Sequence, residues 1–188
     1  MNAAHLEFCG SPAWRQMVEE IVLPEALGGI DLGDDVLEIG PGPGFTTDVL
    51  RERAAHLTAV EIDDALAADL ARRLAGTNVE VIHADASKLD LPDRRFTGVT
   101  SFNMLHHVPT DEALDRIFSE LARVLREDGV FVAADGDPRL EVDDFHEGDT
   151  YHPIAAQAVP QRLNAAGFTN VEVRSYDLGW VCVARLSA

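Results

Sequence analysis

Val36-Leu37-Glu38-Ile39-Gly40-Pro41-Gly42-Pro43-Gly44-Phe45 reads as a short apolar strand that runs into three alternating glycines. Phe45-Thr46-Thr47-Asp48-Val49-Leu50 then has the make-up of a helix start. Glycine lets the backbone turn sharply and lets a ligand approach it closely, because no Cβ stands in the way. The helix behind such a loop offers unpaired N–H groups and a partial positive charge. Twenty-one residues after Gly40, Glu61 closes Leu57-Thr58-Ala59-Val60, where a second parallel strand would end. A carboxylate at that point can accept both hydroxyls of a ribose. A lone GxG marks only a tight turn; with strand, helix and distal acid it points to a nucleoside-containing ligand.

The spacing narrows the ligand. The dinucleotide fingerprint G-x-G-x-x-G has its third glycine three residues after the second. Here the third follows after two, giving E-x-G-x-G-x-G, and Phe45 stands where a nicotinamide enzyme would have glycine. No G-x-x-x-x-G-K-[ST] loop is present, and no lysine lies near the glycines. Glu38 would repel a pyrophosphate but suits a ligand with a cationic amino group.

These residues resemble the class I S-adenosylmethionine-dependent methyltransferases, and the resemblance extends over about residues 34 to 186. It implies that Glu38, Gly40, Gly42 and Gly44 form the cofactor loop, with Glu61 on the ribose hydroxyls and Ile62 against the adenine. Val81-Ile82-His83-Ala84-Asp85-Ala86 resembles the end of the family's third strand, whose acid (Asp85) accepts the adenine amino group while the Ala86 N–H reaches a ring nitrogen. Phe96 to His107 resembles the fourth strand and its active-site lip, and Asn103 there is grouped with the cofactor residues. Leu121 to Val130 resembles the helix, turn and fifth strand. Glu127-Asp128-Gly129 departs from the usual Lys/Arg-Pro-Gly-Gly turn, on the side of the sheet away from the site.

The chain has 188 residues, 46% of them hydrophobic, enough for one domain (1–188) with a substantial core. No apolar run approaches the roughly 18–20 residues of a membrane span, and the N-terminus lacks the pattern of a signal peptide. Cys9 and Cys182 have no metal or redox spacing, which suits a reducing cytoplasm. The net charge of −18 would repel phosphate backbones and anionic membrane surfaces.

Strands are expected at 35–39, 57–61, 79–83, 97–102 and 129–134, and helices at 45–54, 64–75 and 111–126. Ser11-Pro12 opens an N-terminal helix within a helical segment 1–30, with serine as N-cap and proline at the first position. Pro160 to Ala166 reads as a last helix stopped by Gly167. Val171 to Tyr176 and Trp180 to Leu186 alternate around Asp177-Leu178-Gly179, as an antiparallel hairpin would. The expected fold is α/β, a three-layer, doubly wound, mostly parallel seven-stranded Rossmann-like sheet ending in that hairpin.

Catalytic candidates lie just past the fourth strand, in Asn103-Met104-Leu105-His106-His107. Methyl transfer is an in-line displacement in which the protein aligns the reactants, worth roughly 7–11 kcal/mol in favourable cases. A hydroxyl or ammonium acceptor must also lose a proton, and histidine suits that work. The Leu-His-His segment resembles a stretch of small-molecule methyltransferases whose first histidine is the base in some members, which favours His106; His107 is read as structural. Asp135, at the end of the fifth strand, matches a position that orients acceptor or base in some relatives.

Loop 135–153, with seven acids between Asp135 and Asp149, is read either as a solvated acidic loop or as a substrate loop over the acceptor. A metal site built from His146, His152 and these carboxylates is conceivable, but such acids are common and no metal ligand is assigned. Phe8, Trp14, Tyr151 and Trp180 are candidate pocket walls, with a core or rim place as the alternative for each. Base-amino methyltransferases place [D/N]-P-P-[Y/F] at the lip, and residues 103–106 share only the asparagine. Cytosine C5 chemistry needs a cysteine there, which is absent. The reading is S-adenosylmethionine-dependent methyl transfer to O, N or C of a small molecule, with no nucleic-acid or membrane partner. The alternative is a S-adenosylmethionine-binding sensor or accessory protein that does not methylate.

Overall fold

The computed structural model describes residues 2–139 and 146–186. The strands are β1 (Asp35–Ile39), β2 (His56–Glu61), β3 (Val79–His83), β4 (Phe96–Phe102), β5 (Leu125–Gly136), β6 (Phe168–Tyr176) and β7 (Gly179–Leu186). They form one sheet in the order β3-β2-β1-β4-β5-β7-β6. The β1–β2, β1–β4, β2–β3 and β4–β5 pairs are parallel, and β7 runs antiparallel to both β5 and β6. The expected seven-stranded sheet with its C-terminal hairpin is therefore present.

Helices α1 (Ala3–Cys9), α2 (Pro12–Met17) and α3 (Leu23–Leu27) precede the sheet, with a π-helical turn at Val18–Val22 between the last two. The Ser11 hydroxyl accepts the Trp14 N–H, so this serine caps α2 as its sequence position suggests. α1 lies within the expected helical segment 1–30, though no apolar periodicity marks its bounds, and its cap, Asn2, accepts the His5 N–H. The remaining helices are α4 (Phe45–Leu50), α5 (Asp64–Arg73), α6 (Asp111–Val124) and α7 (Val159–Ala165). α4, α5 and α6 end two to four residues earlier than expected. β5 begins earlier too, because Leu125 already pairs with Phe96 and residues 126–129 form a bulge before Val130 pairs with Gly98.

Strand alternation deals side chains to two faces. Leu37, Ile39, Phe131 and Ala133 join the cluster under α6 and α7, which includes Leu114, Phe118, Leu121 and Leu163. Val36, Val130, Val132 and Ala134 face the other way, against Val18, Val22, Leu23 and Leu27 of the N-terminal segment and Leu50 of α4. Leu70 and Leu74 cover Ala59 through α5. Trp180 is fully buried and donates its indole N–H to the Ile154 carbonyl at 2.9 Å, which anchors the chain returning from loop 135–153. Of the two places open to it from sequence, pocket wall or core, Trp180 takes the core.

Glu38 points to the α4 face and is only 1% exposed. Its carboxylate accepts hydrogen bonds from the hydroxyls of Thr46 and of Thr47, the latter at 2.7 Å. Burial raises its pKa to about 7, against the lowering effect of those two hydroxyls.

Two consequences can be measured. Trp180→Phe leaves a buried carbonyl without its donor and should cost about 1–3 kcal/mol in denaturant titration. Because Glu38 takes up a proton on folding, its ionisation costs stability as pH rises from the unfolded carboxylate value through about 7. Thermal melts between pH 5 and 8 should show a decline that is shallower in Glu38→Gln; equal slopes would mean that Glu38 ionises as an ordinary surface acid.

Candidate functional site

Strand order reverses between β1 and β4, the neighbours at the centre of the sheet. The crevice of an open α/β sheet lies outside the carboxyl ends of the strands at such a point. The loop after β1 fills one side of it. Gly40, Gly42 and Gly44 all have positive φ, at 67°, 53° and 88°, a region that side chains with a Cβ rarely adopt. A Cβ on Gly40 would sit 2.2 Å from the Met104 side chain, and one on Gly44 would strike Leu70 and Arg73, both at 2.4 Å. At Gly42 nothing lies within 4 Å of that position, so its backbone is open to a ligand. Arg73 fastens the loop from behind, donating to both Asp48 carboxylate oxygens at 2.7 and 2.8 Å and to the Pro43 and Gly44 carbonyls at 3.2 Å.

Glu61 ends β2 beside this loop. One carboxylate oxygen accepts the Gly42 N–H and the other the Asp63 N–H, each at 3.0 Å. Ile62 is 67% exposed, an apolar side chain left uncovered beside that carboxylate. Asp85 accepts the Ser87 N–H at 2.9 Å, which holds its pKa below the usual carboxylate value, and Ala86 is buried behind it. Ribose-accepting carboxylate, apolar ring platform and open glycine loop fit the nucleoside end of S-adenosylmethionine. Glu38 is placed differently from the sequence expectation: its carboxylate is committed to Thr46 and Thr47 beneath the loop, not directed into the crevice.

The opposite lip is built on β4 and β5. Asn103 adopts φ 52° and donates its N–H to the Ala134 carbonyl at 2.8 Å. This left-handed residue turns the chain off β4, so that Met104 packs on Gly40 and Leu105–His107 form a tight helical turn. Asp135, nearly fully buried, then clamps His106 twice. One oxygen meets the His106 ring Nδ1 at 2.5 Å and also accepts the Gly136 N–H at 2.7 Å; the other accepts the His106 backbone N–H at 3.2 Å. Burial lowers the His106 pKa, but the Asp135 charge and hydrogen bond outweigh it and the net shift is upward. A neutral ring in this arrangement carries its proton on Nδ1 and its lone pair on Nε2.

Around His106 stand His107, read from sequence as structural, His146, read there only as a conceivable metal ligand, and His5, which had no role of its own. The His107 ring lies 4.2 Å from that of His106, and its Nδ1 meets the Thr150 carbonyl at 3.1 Å. Burial and the neighbouring His106 lower the His107 pKa to about 4. His5 of α1 packs against His107 at 4.8 Å and holds Asp149 through Nδ1 at 3.2 Å. His146 lies 4.8 Å from the His5 ring and stacks on Tyr151 at 4.0 Å. The Asn2 N–H also reaches Asp149 at 3.0 Å, so α1 is tied to the far side of loop 135–153. Glu141, Asp143 and Asp144 of that loop lie outside the described residues. His152 stands apart from the histidine group, beside Asp111 at 3.5 Å, with its backbone N–H on the His106 carbonyl. No local pattern marks His5 or Asp149, which are 144 residues apart.

Comparison with known proteins agrees with this geometry. The methyltransferase domain family matches residues 37–133, from β1 through the core of β5. A demethylmenaquinone methyltransferase of Clavibacter sepedonicus is 34% identical over 121 residues, 63% of this chain and 45% of that protein. A probable ribosomal RNA small subunit methyltransferase A of Methanothermobacter thermautotrophicus is 43% identical over 79 residues, 41% of this chain and 29% of that protein. The chain thus spans less than half the length of these curated relatives. The crystal structure of a SAM-dependent methyltransferase from Aquifex aeolicus superposes with a TM-score of 0.73 at 20% identity, covering 98% of this chain and 97% of that one. With its glycine loop, its Glu61 site and its sheet order, the chain belongs to the methyltransferase domain family and has the class I fold that uses S-adenosyl-L-methionine.

Proposed function

We propose that this protein transfers a methyl group from S-adenosylmethionine to oxygen, nitrogen or carbon of a small-molecule acceptor, acting as one domain in a reducing cytoplasm. The observation that carries this reading is the His106–Asp135 clamp, set at the end of β4 where Met104 bridges to Gly40 of the cofactor loop. The cofactor supplies a methyl carbon already activated by a sulfonium. Glu61 and Ile62 hold the nucleoside end, Asp85 and Ala86 the adenine edge, and the open Gly42 backbone admits the ligand. His106, presented by Asp135, would take the acceptor proton on Nε2 while the acceptor's electron pair forms the bond to the methyl carbon and the carbon–sulfur bond breaks, its pair staying on the sulfur of S-adenosylhomocysteine. Asp135 does not receive that proton; it fixes the tautomer and stabilises the imidazolium.

A small acceptor is favoured over nucleic acid by two features, although ribosomal RNA methyltransferases are among the relatives. The net charge of −18 opposes a phosphate backbone. The lip also lacks the Asn-Pro-Pro-aromatic arrangement that would hold a planar base amine, since Met104, Leu105 and His106 follow Asn103. Among the described residues no helix is long and apolar enough to cross a membrane. Both cysteines are buried and free.

S-adenosylhomocysteine should raise the melting temperature while NAD leaves it unchanged, because a ligand of the native state stabilises by mass action. Glu61→Ala removes the ribose acceptor and frees the Gly42 N–H; cofactor affinity should fall about tenfold or more, as loss of a charge-assisted hydrogen bond implies. Unchanged affinity would place the ribose elsewhere. With an acceptor found by following S-adenosylhomocysteine release from a metabolite extract, His106→Ala should lower turnover roughly 10²–10⁴-fold with cofactor affinity retained. Cofactor binding without release in any extract would favour the sensor reading.

A further inference from the structure

The histidines beside the acceptor lip have a second use. His5, His106, His107 and His146 each offer one ring nitrogen, and these atoms all lie within 4.8 Å of one another. They come from three separate places: α1, the turn after β4, and the chain preceding α7. Four imidazoles packed this closely would repel one another if protonated, and stacking alone needs no common focus for their nitrogens. We propose that these four histidines bind one divalent transition-metal ion of the zinc class.

The surroundings of the rings argue for ligands. His106 meets the Asp135 carboxylate through Nδ1 at 2.5 Å, His5 meets Asp149 through Nδ1 at 3.2 Å, and His107 meets the Thr150 carbonyl through Nδ1 at 3.1 Å. Each acceptor places the ring proton on Nδ1 and the lone pair on Nε2. Metal-ligating histidines have this outer partnership almost always, because it fixes the tautomer and raises ligand basicity. Two of the three acceptors are carboxylates, which offset the charge of a dication beside neutral rings. Tyr151, stacked on His146 at 4.0 Å, orients the fourth ring.

Size and chemistry select the ion. Ligands at about 2.0–2.1 Å from zinc stand about 3.3 Å apart in a tetrahedron, so the rings need to close by only an ångström or so. An all-imidazole set suits zinc, copper, iron or nickel and excludes magnesium and calcium, which take oxygen ligands. The ion would tie α1 to the lip of β4. With all four positions filled by imidazoles the site would be closed and structural, and His106 would accept a proton only in the metal-free chain.

The test is titration of cobalt(II) into the full chain after dialysis against a chelator. One equivalent should bind, with the intense visible absorption of a four-coordinate site, and zinc should displace it. Zinc should also raise the melting temperature, and magnesium should not. His5→Ala and His146→Ala, neither of which touches the cofactor residues, should each weaken cobalt binding at least tenfold, roughly the scale of losing a ligand's support. The double variant His56→Ala with His83→Ala, which alters exposed histidines elsewhere, should bind as the parent does. Absence of a one-equivalent cobalt complex, or equal affinity in His5→Ala and His146→Ala, overturns the metal site. S-adenosylhomocysteine melting shifts recorded on the same samples show whether the cofactor reading stands independently.

Discussion

The reversal of strand order between β1 and β4 is the constraint on which the site depends. Chain leaving β1 turns towards α4 and β2, while chain leaving β4 turns towards α6 and β5. The two exits diverge, and neither closes over the gap between them. Both loops that flank this gap need backbone conformations with positive φ, supplied by Gly40 on one side and Asn103 on the other. Gly40 is also the point of closest approach, because the Met104 side chain occupies the space where a Cβ would stand. The glycine loop and the lip after β4 thus meet at one glycine.

Buried carboxylates then set the two halves. Glu38 and Asp135 are each almost inaccessible, and among the described residues neither is matched by a buried lysine or arginine. Glu38 is satisfied by hydroxyls, which leaves its burial cost only partly offset and its pKa high. Asp135 is satisfied by two backbone N–H groups and a histidine ring. Glu38 thereby braces the glycine loop from below, whereas Asp135 fixes the orientation of the His106 ring. The close approach of Gly179 to the Asp135 carbonyl, where a Cβ would lie 2.0 Å away, shows how tightly β7 seats this residue.

The histidine group extends the same logic outward. The rings of His5, His106 and His107 each have an oxygen acceptor at Nδ1, and with His146 they bring one nitrogen apiece within 4.8 Å of one another. A chain with seven histidines, four of them converging here, has concentrated its titratable nitrogen at the one edge where chemistry is expected.

The sequence by itself determined the alternating α/β fold and the glycine loop with Glu61, while its resemblance to the methyltransferases named His106 and Asp135 separately as candidates. These were legible because period-two apolar runs, glycines at fixed spacing and strand-terminal acids are properties of consecutive residues, and parallel order follows from alternation of strands and helices. Only the tertiary structure decided that Glu38 faces α4, that Asp135 clamps His106, and that His5, His107, His146 and Asp149 gather around that pair. α1 lacks an apolar stripe, so it is held by Asn2 and His5 on Asp149, contacts that span more than a hundred residues. Contacts of that kind are set by loop closure and by where polar groups find partners, and neither leaves a local pattern in the chain.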